Sequence, residues 1–183
     1  MSNEHLRIRK LQPDEVVKSF DCGDKDLNEF IIDEAPFYRK TLLAVTYVLE
    51  SPENEETLAY FSLANDRVSL SDFESKTEFN RFRKKRFVNE KRLKSYPATK
   101  LCRLAVSISA REMHLGSYLI DFIKAFFLLD NKTGCRFVTV DAYRSAIPFY
   151  EKNGFLPLLT EDDGEMTRLL YFDLADYQEN FNK

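Results

Sequence analysis

Residues 101–120 read LCRLAVSISAREMHLGSYLI, and the rest of the chain is interpreted outward from them. Leu101–Ile108 is apolar and partly β-branched, which predicts a strand buried on both faces. A short polar loop over Ser109–His114 follows, and Gly116 then opens a run with helical spacing. The apolar positions of that helix are Leu115, Leu119, Ile120, Ile123, Phe126 and Phe127. A strand, tight loop and helix in this order direct backbone N–H groups and the positive helix end at one spot, which predicts phosphate binding.

A second patterned stretch, AIPFYEKNGF at residues 146–155, lies about 30 residues further along the chain. Ala146, Ile147 and Tyr150 fall along one side of a short predicted helix, which Asn153-Gly154 ends. A strand is predicted before it, over Gly134–Asp141. Two more strands are predicted after it, over 156–159 and 166–174.

The two stretches together resemble the signatures of the GNAT superfamily of N-acetyltransferases. The family's cofactor loop reads Gln/Arg-x-x-Gly-x-Gly/Ala, and Arg111–Gly116 fills it with one departure, because His114 stands in place of the first glycine. His accepts a positive φ at a modest cost. Residues 146–155 match the second signature, Ala-x-x-Phe-Tyr-x-x-x-Gly-Phe, at every fixed position.

The resemblance implies an α/β (α+β) GNAT fold. Such a fold has a mixed, mostly antiparallel central sheet of six to seven strands, flanked by helices and splayed at the central strand. The resemblance covers roughly residues 6–174, and a single acetyltransferase domain is expected over 1–183. A basic helical insertion at about 72–94 interrupts it.

The first 70 residues agree with the N-terminal half of that fold. Alternation predicts a strand over His5–Leu11, and Pro13 is expected to start a short helix with Val16, Val17 and Phe20 on its apolar face. A second helix is expected over Lys25–Tyr38, with Pro36 ending or kinking it. Two strands, over 41–50 and 57–70, then form a hairpin. The segment FDCGDKDL at residues 20–27 also resembles one found in toxin-like bacterial GNAT proteins.

The resemblance implies a binding site for acetyl-CoA. No metal site is expected, because the chain has only two histidines and no Cys-x-x-Cys pair. In the family, the pantetheine arm pairs with the central strand, and main-chain N–H groups of the loop cradle the pyrophosphate. Carried onto this chain, the cofactor-binding residues are Leu104, Ala105, Val106, Arg111, Glu112, Met113, His114, Leu115, Gly116, Ser117 and Tyr143. Tyr143 stands where many relatives carry an Asn.

Tyr150 is the expected catalytic residue. In many family members the Tyr of the Phe-Tyr pair protonates or hydrogen-bonds the departing thiolate, and a phenol with a pKa of ~10 is suited to this. The alternative is a buried Tyr that packs beneath the CoA arm. No general base is assigned from the sequence.

Composition favours a soluble globular protein: of 183 residues, 44% are hydrophobic and 31% charged. No apolar run reaches the ~20 residues that a membrane-spanning helix needs. The polar N-terminus does not resemble a signal peptide. The three cysteines, an odd number at unrelated spacings, are typical of a reducing compartment, so a cytoplasmic location is expected.

The net charge of −3 hides a strongly basic segment. Residues 81–94 hold eight Lys or Arg and one Glu, a local charge of +7. Phe73, Phe79, Phe82, Phe87 and Leu93 have spacings that predict an amphipathic helix over this region. Its cations would bind an RNA backbone, meet a CoA phosphate or an acidic protein, or simply face solvent while the phenylalanines pack on the sheet.

Three functions remain open at this point. The first is an N-acetyltransferase that moves the acetyl group of acetyl-CoA to a primary amine of a small molecule or protein, by direct attack in a ternary complex. The second is a toxin-type enzyme that acetylates the amino group of aminoacyl-tRNA and is held by an antitoxin. The third is a non-catalytic acyl-CoA-binding module. No membrane partner is expected, and a homodimer is compatible with all three.

Overall fold

The computed structural model describes residues 6–17, 19–53, 55–89, 92–129, 133–159 and 164–181. The strands are β1 (Arg7–Lys10), β2 (Val45–Glu50), β3 (Thr57–Ser69), β4 (Ser95–Val106), β5 (Phe137–Tyr143), β6 (Leu156–Pro157) and β7 (Thr167–Asp173). The α-helices are α1 (Lys25–Glu29), α2 (Ala35–Lys40), α3 (Lys76–Arg86), α4 (Leu115–Leu129), α5 (Ile147–Lys152) and α6 (Leu174–Phe181). A π-helical turn spans Phe30–Glu34, and 3₁₀ turns span Leu70–Asp72, Ile108–Met113 and Arg144–Ala146.

Within the described residues, seven strands form one mixed sheet in the order β1-β2-β3-β4-β5-β7-β6. The pairs β1–β2, β2–β3, β5–β7 and β6–β7 are antiparallel, whereas β4 and β5 are parallel. The open, mostly antiparallel sheet with flanking helices confirms the GNAT fold expected from the sequence. The β4–β5 ladder joins Ala98–Lys100 to Phe137–Thr139, and both strands continue past it.

The chain forms two compact units, and the single domain expected from the sequence stays a prediction. Unit 1 comprises Met1–Ala64 and Leu101–Ile123. Its core joins the helical segment over residues 25–40 to β2, β3 and β4. The buried side chains of that core are Leu11, Val17, Phe20, Cys22, Phe30, Ile31, Ala35, Val48, Tyr60 and Ala105. The Tyr60 hydroxyl donates to the Leu27 carbonyl at 2.7 Å, which satisfies the phenol inside this apolar cluster.

Unit 2 comprises Asn65–Lys100 and Lys124–Lys183. Its core packs α3 on the strands β4, β5 and β7 through aromatic rings. The buried side chains of that core are Val68, Phe79, Phe82, Tyr96, Ala98, Phe137, Leu158 and Tyr171. Edge contacts with ring centroids 5.4 Å apart for Phe82–Tyr171 and 5.9 Å apart for Phe137–Tyr171 are the geometry that aromatic pairs prefer.

The prediction of a short helix starting at Pro13 is wrong. Residues 11–17 form a turn, in which the Glu15 amide donates to the Gln12 carbonyl at 3.2 Å. The Glu15 carboxylate also accepts from the Gln12 amide and from Arg9 Nη1, at 3.0 and 2.8 Å. An ion pair with β1 therefore holds the turn, and Val17 and Phe20 reach the core without a helix.

The second helix is continuous over residues 25–40, and Pro36 does not end it. The backbone widens into the π turn just before Pro36, where the Ala35 amide donates to the Phe30 carbonyl five residues earlier. This wider turn relieves the clash between the proline ring and the preceding turn, and it accommodates the missing N–H. Asp24 is the N-cap of this helix, because its side chain accepts from the Leu27 amide at 3.1 Å.

The basic segment is helical over a shorter range than expected. The helix α3 begins after the N-cap Ser75 and ends at Arg86, and Phe87 is already extended. Phe79 and Phe82 are buried as predicted, but Leu93 is 55% exposed, because it lies beyond the helix. Glu90 and Lys91 lie outside the described residues.

Other strand boundaries also shift. The strand predicted over 41–50 begins at Val45, the one predicted over 101–108 runs from Ser95 to Val106, and the one predicted from Gly134 begins at Phe137. The strand predicted over 156–159 is only two residues long. The C-terminal helix α6 was not predicted. None of the helices in the described ranges combines the length and apolarity that crossing a bilayer requires.

Candidate functional site

The predicted phosphate loop lies in unit 1 and has a compact form. After β4, Ser107 caps a 3₁₀ turn over Ile108–Met113, and the Ala110 amide donates to the Ser107 carbonyl at 3.0 Å. The helix α4 then begins at Leu115, so Gly116 is its second residue rather than its opening one. The first turn of α4 carries no acidic side chain. Its leading amides and positive dipole end therefore remain suited to an anion.

His114 makes the connection between the two helical turns. Its φ of +54° and ψ of 28° place it in the left-handed region, where the family pattern has glycine. The side chain is exposed, and no carboxylate is hydrogen-bonded to it among the described residues. The geometry shows why this position favours Gly, and it shows that His114 adopts the required conformation.

The three predicted pantetheine-contacting residues end β4. Ala105 is buried in the unit 1 core, whereas Leu104 and Val106 are half-buried. The next amide, of Ser107, donates to the Leu58 carbonyl of β3 at 2.8 Å. The structure therefore brings the end of β4 and the phosphate loop together in one unit, as the family pattern requires.

Arg111 contacts a part of unit 1 that is distant in sequence. Its Nη2 donates to the Cys22 carbonyl at 2.8 Å, and the neighbouring Ile108 amide donates to the Asp21 carbonyl at 2.9 Å. Cofactor binding by Arg111, Glu112, Met113, His114, Leu115, Gly116 and Ser117 stays a prediction. The contact with Cys22 was not foreseen, because the two segments are separated by 89 residues.

Tyr150 lies in unit 2, on α5, and is 7% exposed. Its ring makes edge contacts with Phe149 and Phe155, with centroids 5.1 and 5.4 Å apart. Burial raises the pKa of its hydroxyl to about 12. The phenol therefore stays protonated at neutral pH and is a hydrogen-bond donor. Tyr143, at the end of β5, is 56% exposed, and the role of each in the reaction stays a prediction.

A buried lysine of α4 contacts the C-terminal end of α5. Lys124, which is 5% exposed, donates from Nζ to the Asn153 carbonyl at 2.8 Å and lies over the Phe172 ring. Gly154 has a φ of +84°, and a Cβ there would lie 3.1 Å from Phe172. The Asn-Gly ending and the buried cation together fix the backbone three residues after Tyr150.

Arg103 is a further cation of β4 that the sequence did not single out. Its guanidinium lies 5.0 Å from the Phe30 ring centroid and donates from Nη1 to the Cys102 carbonyl. Alternation along β4 could have identified it, because it shares a face with Leu101 and Ala105. No cluster of three metal-ligating side chains occurs in the part of the chain that the structure describes.

Comparison with family models gives one match in this region. Residues 83–157, about two fifths of the chain, match the model described as the acetyltransferase (GNAT) domain. These residues form a GNAT acetyltransferase domain. The match spans the end of α3, all of β4, the phosphate loop and the α5 signature, and it confirms the resemblance seen in the sequence. A comparison with curated protein sequences gives no match.

Solved structures of toxin-type GNAT proteins have the same fold. The AtaTR complex with acetyl-CoA is 23% identical, with a TM-score of 0.71 over 97% of this chain and 99% of that one. AtaT with acetyl-methionyl-tRNAfMet is also 23% identical, with a TM-score of 0.70 over 96% and 99% of the two chains. A Tyr-to-Phe variant of KacT is 20% identical, with a TM-score of 0.70 over 96% and 99%. At these identities the similarity establishes the fold of the GNAT domain.

Proposed function

We propose that the chain transfers the acetyl group of acetyl-CoA to a primary amine by direct attack in a ternary complex. The observation that carries the proposal is the turn at His114. A left-handed residue joins a 3₁₀ turn to a 15-residue helix at the position where the family's loop pattern has its first glycine.

The phosphate loop supplies the cofactor site in this proposal. The amides at the start of α4 and in the preceding turn donate to the pyrophosphate oxygens, and the helix dipole favours the negative charge. Main-chain N–H groups do most of the binding in this proposal, so the side chains of Glu112 and Met113 contribute little. Ser117 adds a hydroxyl donor in the first turn.

The end of β4 holds the reactive arm. The parallel ladder with β5 joins three residue pairs, the last of them Lys100–Thr139, and six residues of β4 follow it. We propose that amide groups of pantetheine pair with Leu104, Ala105 and Val106 in that part of the strand. An N–H near Val106 then faces the thioester oxygen and stabilises the charge that develops there.

Tyr150 assists departure of the sulfur. The amine nitrogen attacks the thioester carbon, and the C–N bond forms as the C–S bond breaks. The proton lost by the amine balances the one gained by the thiolate, so no other reactant is needed. With a pKa of about 12, the phenol is a weaker acid than a thiol with a pKa of ~8.5. Tyr150 therefore stabilises the departing sulfur chiefly by donating a hydrogen bond.

The test is consumption of acetyl-CoA by the full chain, measured as release of free thiol, over a panel of amines, polyamines, peptides and aminoacyl-tRNAs. We expect turnover with one acceptor class, together with saturable binding of acetyl-CoA in the absence of acceptor. A chain that does not bind acetyl-CoA at concentrations up to the millimolar range would contradict the proposal. Binding without turnover on any acceptor would instead support the non-catalytic module.

Aminoacyl-tRNA is the second candidate acceptor, and α3 gives it support. Arg81, Lys84 and Lys85 are exposed on this helix, whereas Arg83 and Arg86 are engaged with protein groups. AtaT, a structural neighbour, has been solved with acetyl-methionyl-tRNAfMet and with its antitoxin. We propose an antitoxin as the protein partner if tRNA is the acceptor. The homodimer and the cytoplasmic location stay predictions.

Salt dependence of tRNA binding separates the two acceptor classes. If α3 contacts the RNA backbone, replacing Lys84 and Lys85 by Gln lowers the slope of log affinity against log salt by about 2, roughly one per phosphate contact. The matched control replaces Lys10 and Lys40, two exposed lysines of unit 1, and leaves the slope unchanged. Equal loss in both variants would indicate a non-specific charge effect.

A further inference from the structure

Two sequence motifs that are far apart in the chain meet in unit 1. The FDCG segment at residues 20–23 forms a tight turn before α1, and the 3₁₀ turn of the phosphate loop contacts it. The Ile108 amide donates to the Asp21 carbonyl at 2.9 Å, and Arg111 Nη2 donates to the Cys22 carbonyl at 2.8 Å. The phosphate loop thus donates hydrogen bonds to two consecutive carbonyls of this turn.

Gly23 makes room for the guanidinium. A Cβ at this position would lie 2.9 Å from Arg111 Nη2, closer than a carbon and a nitrogen pack without displacement. The residue also has a φ of +83°, which favours glycine independently. The glycine of the FDCG segment therefore has a structural reason that involves the phosphate loop.

The turn that Arg111 contacts is internally rigid. The Asp21 carboxylate accepts from the Gly23 amide and from Asn28 Nδ2, at 2.8 and 2.9 Å. The Asn28 side-chain oxygen Oδ1 in turn accepts from the Cys22 amide at 2.9 Å and lies 3.1 Å from Cys22 Sγ. A displacement of the Cys22 carbonyl is therefore passed directly to the first helical turn and to the buried Cys22 thiol.

We propose that Arg111 is a positioning residue that couples the cofactor loop to the turn over residues 21–24. Binding of acetyl-CoA orders the loop, and Arg111 transmits that order to the turn and to the start of α1. This inference rests on the proposed function, because it assigns the loop to the cofactor. It differs from the expected role of Arg111, which the family resemblance gives only as a cofactor-binding residue.

The reactivity of the native Cys22 thiol measures how closed the turn is, so no additional cysteine has to be introduced. Its side chain is 9% exposed, and burial raises the pKa of its thiol, so it reacts slowly with alkylating reagents while the turn is closed. The experiment measures the rate of iodoacetamide alkylation of Cys22 by peptide mass spectrometry, with and without acetyl-CoA. Cys102 and Cys135 in the same samples correct for reagent and temperature.

In the unchanged protein, saturating acetyl-CoA slows alkylation of Cys22 by about fivefold or more, the lower range of typical coupling between sites. In Arg111→Met, Cys22 reacts faster, and its rate no longer depends on acetyl-CoA. Each variant is compared at a cofactor concentration that calorimetry shows to be saturating for it. Arg7→Met removes an exposed cation of the same unit and keeps the response of the unchanged protein.

Gly23→Ala disturbs the same contact from the side of the turn. Its Cβ displaces the Arg111 guanidinium, while the positive charge of Arg111 is kept. We expect Gly23→Ala to reproduce the loss of acetyl-CoA dependence. We expect Cys22 in the double variant, Gly23→Ala with Arg111→Met, to be alkylated no faster than in Arg111→Met alone. If Gly23→Ala does not fold, Arg111→Met alone decides the question.

Protection of Cys22 that survives in Arg111→Met would overturn the proposal, because the cofactor would then shield the thiol without the guanidinium. A large loss of acetyl-CoA affinity with unchanged Cys22 kinetics would also overturn it and assign Arg111 to the phosphate. Absence of any acetyl-CoA binding to the unchanged protein is a different result, which contradicts the proposed function itself.

Discussion

His114 is the residue at which the cofactor loop departs from its family pattern, and the backbone shows how the departure is tolerated. Its φ of +54° is accessible to His at a modest cost, because His is enriched among non-glycine residues in this region. The sequence therefore identified both the position and the strain. It left open whether the histidine also touches phosphate.

Substitutions at His114 should rank by their cost in the left-handed region. His114→Gly keeps or slightly raises the free energy of unfolding, because the lost strain and the added chain entropy nearly cancel. His114→Val lowers it by about 2 kcal/mol, since a β-branched residue is a genuine outlier there. Urea denaturation measures both.

Met113→Val is the control for that series, because Met113 lies in the 3₁₀ turn next to His114. A loss in Met113→Val as large as that in His114→Val would show that branching, rather than the left-handed backbone, causes the effect. Acetyl-CoA affinity that is retained in His114→Gly would indicate that the main chain binds the cofactor.

Tyr150→Phe tests the chemical role of the phenol. We expect kcat for acetyl transfer to fall about 100-fold, the lower range for loss of one hydrogen-bond donor to charge that develops in the transition state, with little change in acetyl-CoA affinity. Because the pKa of Tyr150 is raised to about 12, it stays protonated up to pH 10 and contributes no alkaline decline in rate below that pH. The measurement is steady-state kinetics from pH 6 to 10.

Tyr177→Phe is the matched control for Tyr150→Phe, because Tyr177 is a half-buried tyrosine of the same unit that belongs to α6. It should retain the activity of the unchanged protein. If both variants lose activity equally, the phenol of Tyr150 has no specific role. If Tyr150→Phe weakens only acetyl-CoA binding, the residue packs beneath the cofactor arm.

At the scale of elements, part of the positive charge of α3 is engaged in contacts within the protein. Arg86 lies 4.1 Å from the Phe82 ring centroid, and its Nε lies 3.2 Å from the buried Asp173 carboxylate. Arg136 reaches the same carboxylate, with Nη2 donating to Oδ2 at 3.0 Å. Its Nε lies 2.7 Å from Oδ1, an ion-pair distance without hydrogen-bond alignment. Asp173 also accepts from the Ala175 amide and so begins α6.

Asp173→Asn should therefore destabilise unit 2 strongly. It removes a carboxylate that is 3% exposed and leaves two guanidinium groups without their anion, which costs about 3 kcal/mol of unfolding free energy. Hydrogen exchange should quicken in α3 and α6 before it does elsewhere. Asp176→Asn, a change at an exposed position of α6, serves as control. A loss below that of the control would show that Asp173 does not anchor α3.

At the scale of the whole molecule, stability in acid depends on carboxylates that the fold pairs. Hydrogen bonds from Arg9 hold the pKa of Glu15 below its ordinary value, and hydrogen bonds from Asn28 and Gly23 do the same for Asp21. A carboxylate with a lowered pKa in the folded state stabilises the fold above its unfolded pKa, ~4.3 for Glu. That contribution is lost as the pH falls through the folded-state pKa.

Glu15→Gln should lower the unfolding free energy by about 1 kcal/mol at pH 7, within the range for partly exposed ion pairs. The difference from the unchanged protein should vanish as the pH falls through the lowered pKa of Glu15. Denaturation at a series of pH values between 2 and 7 measures this. Glu53→Gln, which changes an exposed turn residue, should show no such convergence. A Glu15→Gln deficit that persists at the lowest pH would contradict the linkage.

The sequence by itself was enough to predict a GNAT fold, the position of a phosphate loop, the α5 signature and most of the strands. These features are local: periodicity, caps and glycine positions are encoded within a few residues of where they act. The turn over residues 11–17, the π turn before Pro36 and the anchoring of α3 by Asp173 were decided only by tertiary structure. In the anchoring of α3, as in the contact between Arg111 and the Cys22 carbonyl, the groups meet from distant segments, and such contacts follow from the packing of the unit rather than from any local pattern.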